Sequence, residues 1–307
     1  MEIYLPIAEM PVNVLLIVGL GAAVGFLSGM FGVGGGFILT PFLMVWGIPP
    51  AVAVATQSPQ IVASSVSGVV THWRKGNVDF KMAGVLLTGG LAGSVIGIHL
   101  FNALRAAGQE DLFISLAYVI FLGSVGGLMM WESVQAVRQS AGGAPSSRRA
   151  AGAHHWVHGL PLKVRFHRSK LYISAIPPLL LGLLIGVLSV VMGVGGGFIL
   201  VPAMIYLLRM PTSVVVGTSL FQVVFIGAFS TLLHAVTNQS VDAILAGLLI
   251  AGGVVGAQFG VRFGERLRSD WMRLCLAALL LMICVRLGIN LVWPPSNPFS
   301  VSVEALL

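Results

Sequence analysis

The sequence predicts an all-α polytopic membrane protein made of two inverted-topology repeats of five helical segments each. Three observations carry this. Of 307 residues, 57% are hydrophobic and 9% charged, where soluble domains carry about 25% charged residues. The stretch GVGGGFILTP at 32–41 recurs as GVGGGFILVP at 193–202. Fifteen of the 17 Lys and Arg fall in segments that one arrangement of these repeats places on a single side of a bilayer.

The duplication spans half the chain. Windows 25–41 and 186–202 share twelve of seventeen positions at an offset of 161. Thr56 then falls on Thr218, Gln60 on Gln222 and His72 on His234, and Gly89, Gly93 and Gly97 fall on Gly252, Gly256 and Gly260. An internal repeat of this length means two copies of one unit rather than a solenoid. The expected divisions are a tail at 1–11, a first repeat at 12–135, a basic linker at 136–170, a second repeat at 171–293 and a tail at 294–307.

Apolar segments cover 12–31, 35–48, 51–73, 82–103 and 112–135, then 171–192, 196–208, 213–236, 243–262 and 272–293. A barrel is excluded, because barrel strands alternate over about ten residues and these runs are continuous. The second and seventh segments are too short for a core of about 30 Å at 1.5 Å per residue. Each follows a triple glycine, so each repeat begins with a helix, a glycine-rich break and a short returning half-helix. Non-helical backbone at membrane depth is tolerated only inside protein or along a wet cavity, which puts both breaks in the interior.

Basic residues set the orientation. With both termini outside the cytoplasmic membrane, Arg74, Lys75, Lys81, the linker and the 262–273 cluster all face the cytoplasm, as positive-inside topology requires. The net charge of +7 is thereby explained without nucleic acid. The N-terminal stretch has no basic residue, so no secretory signal is read there. The linker is expected to touch anionic lipid. Its His154, His155 and His158 lack nearby Cys or carboxylate, so no metal site is read. Cys275 and Cys284 read as buried bystanders.

The glycine breaks are not nucleotide loops. Phe37 and Phe198 stand where G-x-G-x-x-G needs glycine, and a Walker loop's Lys-Ser or Lys-Thr is missing. Instead, Gly34, Gly35 and Gly36 with Gly195, Gly196 and Gly197 leave backbone N–H groups and half-helix N-termini that suit an anion. The spans that follow open with polar turns: Thr56, Gln57, Ser58 and Gln60, against Thr218, Ser219 and Gln222. These neutral donors can replace part of an anion's water shell, with Ser28 and Ser189 as weaker candidates. All ten acids lie in loops or at span ends, which disfavours a cation substrate. His72 and His234 are candidates for gating or proton movement, and Arg286, inside the last span, is a candidate for steering anions. The glycine rows at 89–97 and 252–260 read as close helix packing. No nucleophile, base and acid are grouped, so neither an enzyme nor a cofactor is expected.

The duplicated GxxSxxxGxGGGFIL-P resembles the sulfite exporter TauE/SafE family of bacterial membrane transporters, across both halves. The resemblance implies a secondary transporter whose partner is a small anionic sulfur substrate, sulfite or an organosulfonate such as sulfoacetate. An anion channel or a permease of broad selectivity is the alternative. "Small anion" follows from the residues, and the sulfur from the resemblance alone. The copies differ where Gly29 meets Val190 and Ser58-Pro59 meets Leu220-Phe221, so a lopsided site is expected, richer in polar groups from the first repeat.

Overall fold

The computed structural model describes residues 2–31, 36–141, 163–166, 168–169, 171–208, 210–264 and 269–292. Strands β1 (Glu2–Leu5) and β2 (Met10–Asn13) precede helices α1 (Val14–Phe31), α2 (Gly36–Val45), α3 (Pro50–Arg74), α4 (Phe80–Ala106) and α5 (Glu110–Ala141). The second half repeats the order with β3 (Lys163–Phe166), β4 (Leu171–Ser174), α6 (Ile176–Met192), α7 (Gly197–Tyr206), α8 (Thr212–Leu233), α9 (Ala243–Gly264) and α10 (Ser269–Val292). A π-helical turn, His234–Asn238, extends α8. Five of the described helices are long and apolar enough to cross a membrane.

The boundaries have local causes. Asp79 caps α4 by accepting from the N–H groups of Lys81 and Met82, both at 3.2 Å. Asp242 caps α9 in the same way, from Ile244 at 3.1 Å and Leu245 at 3.0 Å. Such caps satisfy N–H groups that have no partner inside the helix. Helix α6 starts with prolines in its first turn and ends at Gly193, whose φ of 68° is left-handed and favours glycine. Inside α3, Pro59 brings no N–H, so the carbonyl one turn earlier loses its helical partner at the polar segment.

Packing is reciprocal between the halves. Gly21, Gly25 and Gly29 of α1 lie on Leu249, Gly253 and Ala257 of α9, so these helices run parallel. Gly89, Gly93 and Gly97 of α4 lie on Leu179, Leu183 and Val187 of α6, again parallel. The equivalent helices α3 and α8 instead pass in opposite senses, Gly68 against Leu220 and Gly227 against Val62. Helices α5 and α10 do likewise, Gly126 against Leu280 and Gly123 against Cys284. Because Thr56 meets Asp242 and Gln60 meets Gly253, α3 also runs parallel to α9 and hence to α1. Two consecutive parallel helices require the intervening α2 to carry the chain back.

The hairpins are a finding beyond the sequence reading, which ran the first and sixth helical segments from 12 and 171. Strand pairing takes up those residues, so α1 and α6 begin later, at Val14 and Ile176. The hairpins share one register, Glu2 opposite Asn13 and Lys163 opposite Ser174, at the same 161-residue offset as the glycine motif. Each docks on the other half. The carboxylate of Asp79 accepts from Ser169 N–H at 2.9 Å and Ser169 O–H at 2.6 Å, and that of Asp242 accepts from Ile7 N–H at 3.0 Å. Both aspartates stand at span ends, as the sequence reading had them, and are buried there.

Candidate functional site

The start of α2 meets the glycine break that precedes α7. Phe37 stacks on its repeat partner Phe198 with ring centroids 4.1 Å apart, and Gly36 faces the carbonyl of Val194. Ile61 of α3 lies over Gly36 and Gly195, and its repeat partner Val223 also reaches Gly195. Gly193, Gly195 and Gly196 hold φ of 68°, 68° and 73°, conformations that a side chain would strain. Helix α7 starts from Gly196 with no side-chain cap. Its first N–H groups take no side-chain cap, and such a helix start with the positive end of its dipole suits an anion. Gly34 and Gly35 lie outside the described residues, as do the linker histidines and the tail at 294–307, while Gly36, Gly195, Gly196 and Gly197 are buried.

The polar turns are also buried: Thr56, Gln57, Ser58, Gln60, Thr218, Ser219 and Gln222 are each at most 2% exposed. Their roles divide. The Thr56 hydroxyl accepts the Asp242 N–H at 3.0 Å, and the Thr218 hydroxyl accepts the Asp79 N–H at 3.1 Å, joining the halves reciprocally. Ser58 donates to the Val54 carbonyl at 3.4 Å and Ser219 to that of Val216 at 3.0 Å, both within their own helices. The glutamines are different. Gln57 Nε2 donates to the Gly193 carbonyl, and Gln222 Nε2 to that of Leu86 at 3.4 Å. The amide oxygens of both remain without a protein partner, as do both polar atoms of Gln60, which lies on Gly253.

Further unpartnered groups share this interior. The hydroxyls of Thr40, Ser65, Ser189 and Ser230 are buried without a protein partner. Leaving each such group bare costs about 1–3 kcal/mol, so their concentration on and around α3 and α8 calls for water or ligand. Tyr118 of α5 donates its hydroxyl to the Met192 carbonyl, and Thr40 and Gln57 flank that phenol. The sequence reading missed Thr40 and Tyr118. Thr40 stands where the second copy has Val201, and that asymmetry was the available signal. Tyr118, alone in an apolar span, offered none.

The remaining candidates scatter. His234 is fully buried, with Nε2 2.9 Å from the Val190 carbonyl and Nδ1 3.2 Å from the Asn238 amide nitrogen. Asn238 can only donate there, so His234 carries its proton on Nε2. This ties the π-helical turn to α6, one turn before the break. His72 is half-buried at the end of α3, its Nδ1 without a protein partner. Arg286 stands exposed on α10 and donates to Asn290 at 2.8 Å, so it does not enter the α3–α8 interior. Cys275 is exposed rather than buried, and Cys284 is half-buried against the Val119 carbonyl. Among the described residues, no group of acids, histidines and cysteines could hold a metal. A separate cavity of about 430 Å³ between α5 and α7 is lined by Phe121, Val125, Phe198, Ile199, Pro202, Ala203 and Leu207, all apolar and unsuited to an anion.

The family model described as Sulfite exporter TauE/SafE matches residues 17–287. The chain is similar to the probable membrane transporter protein YjnA of Bacillus subtilis, at 28% identity over 91% of this chain and 100% of that one. It is also 28% identical to a probable membrane transporter protein of Xylella fastidiosa, over 92% of this chain and 95% of the relative. A shorter match, 33% identical over 34% of this chain and 22% of the relative, is to Sulfite exporter TauE/SafE family protein 3 of Arabidopsis thaliana. No solved structure matches the chain.

Proposed function

Since the chain belongs to the sulfite exporter TauE/SafE family of membrane transporters, we propose that it moves a small sulfur-containing anion, sulfite or an organosulfonate, across the cytoplasmic membrane by alternating access. The observation that carries this reading is the set of buried, unpartnered polar groups on α3 and α8 next to the uncapped start of α7. Neutral amides and hydroxyls exchange an anion's water shell for weaker contacts and let it leave again. A fixed charge would hold it.

The antiparallel pairing of α3 with α8 and of α5 with α10 supports two inverted repeats rocking about this site, the architecture of many secondary carriers. Both termini then lie outside and the basic linker inside. Gln60 and Gln222 are the central ligands of this reading, with Gln57 beside the break; Thr56 and Thr218 act as struts between the halves.

Counterflow in proteoliposomes tests the assignment. Vesicles loaded with unlabelled sulfite should accumulate labelled sulfite saturably, and Gln60→Ala should cut the rate at least about tenfold, the equivalent of one charge-assisted hydrogen bond. Unsaturable flux of every small anion alike would instead make the protein a channel.

A further inference from the structure

Resting on the transport reading above, we infer that the site selects oxyanions that carry a hydrogen-bond donor: bisulfite over the sulfite dianion, and a hydroxylated sulfonate over one without an O–H or N–H. The reason lies in which atoms are left free. Gln57 spends one amide N–H on the Gly193 carbonyl, and Gln222 spends one on the Leu86 carbonyl. Two carbonyl oxygens cannot face one another favourably, so neither amide can turn around. The amide atoms left with no protein partner at all are therefore the Oε1 oxygens, which only accept.

The phenol between Gln57 and Thr40 adds to this. Tyr118 has committed its proton to the Met192 carbonyl, so its oxygen can only accept from Gln57 and Thr40 beside it, which occupies the second amide N–H of Gln57. The atom that Gln57 leaves bare in this buried surface is thus its Oε1, an acceptor. A fully deprotonated oxyanion brings acceptors only, and would leave these oxygens bare in a water-poor interior, where an unmet polar group is costly. One O–H on the ligand changes the match. It can donate to Gln57 Oε1 while the charged oxygens take the free donors, the Gln60 amide and the N–H groups that open α7. Selection then comes from the penalty on the ligand lacking the donor, a form of discrimination stronger than shape alone. Sulfoacetate, a dianion without a donor near neutral pH, is on this ground a poor substrate.

Two ligand pairs test the inference in the same counterflow system. 2-Hydroxyethanesulfonate and ethanesulfonate have equal charge at every working pH and differ by one O–H. The hydroxylated anion should compete with labelled sulfite at about tenfold lower concentration, and Gln57→Met, of similar shape without an acceptor, should shrink that ratio towards one. With the unmodified protein, the half-saturating concentration of total sulfite should rise about tenfold per pH unit once bisulfite gives way to the dianion. That for 2-hydroxyethanesulfonate should stay flat. Equal competition by the two sulfonates together with a flat sulfite profile would overturn the donor rule and leave the transport reading standing. Absence of any sulfur-anion exchange by folded protein would remove both.

Discussion

Gly25→Leu should abolish recovery of folded protein, while Gly19→Leu on the same helix should be tolerated. A Cβ at Gly25 would lie 2.2 Å from the Gly253 carbonyl oxygen and 2.7 Å from the Gly253 Cα, whereas nothing lies within 4 Å of one at Gly19. The obstacle is backbone, so no side chain can swing aside, and α1 and α9 would have to separate along their length. Overpacking typically costs about 1–3 kcal/mol where the core can adjust; here it cannot, and the loss should exceed that range. The repeat makes the same demand at Gly186, whose Cβ would lie 2.0 Å from the Gly90 carbonyl oxygen. Monodisperse yield on size-exclusion chromatography in mild detergent reads the difference. Equal yields for Gly25→Leu and Gly19→Leu would mean that α1 and α9 are not in backbone contact.

Removing the carboxylate that holds either hairpin should be nearly as severe. Asp79→Ala would uncap α4 and strand both the N–H and the O–H of Ser169. Asp242→Ala would uncap α9 and strand the Ile7 N–H. A lost cap costs about 0.5–2 kcal/mol and each buried donor left bare about 1–3 kcal/mol. Asp79→Ala should therefore lower the Tm of the purified protein more than Asp242→Ala. Asn at either position, retaining one cap oxygen, should fall between alanine and the native residue. A Tm unchanged by Asp79→Ala would show that the second hairpin does not depend on this carboxylate.

Most of the helical architecture was legible because bilayer thickness and hydropathy act on long runs, and the observed helices fall close to the ten apolar segments. The glycine break of the second half was legible for a different reason. Glycine enters without steric cost the left-handed backbone seen at Gly193, Gly195 and Gly196, so the chemistry of the turn is written in the residue. The hairpins were not legible. Strands of four residues such as EIYL and KVRF are too short to show a period, and their partners on the other half are 90 residues away for Asp79 and 235 for Asp242. The same distance hid the burial of these aspartates.

In the candidate site, Gln57, Gln60 and Gln222 could be picked out because amides are out of place in apolar spans. Which atoms they leave free could not, since that depends on the carbonyls of Gly193 and Leu86. Thr56 and Thr218 looked like ligands in the sequence, yet their hydroxyls brace Asp242 and Asp79. Arg286 was picked out by its position along the last span; the rotation of α10, which linear position does not set, faces it away from the α3–α8 interior.

The account rests on two halves that face opposite sides of the membrane, and labelling of single cysteines tests that most directly. Lys75 and Thr237, both exposed, sit in equivalent connections, α3 to α4 and α8 to α9. In a background with Cys275→Ser and Cys284→Ser, Lys75→Cys should react with a membrane-impermeant maleimide only from the cytoplasmic side, and Thr237→Cys only from the outside. Reaction of both from one side would contradict the inverted arrangement and, with it, alternating access about the α3–α8 site.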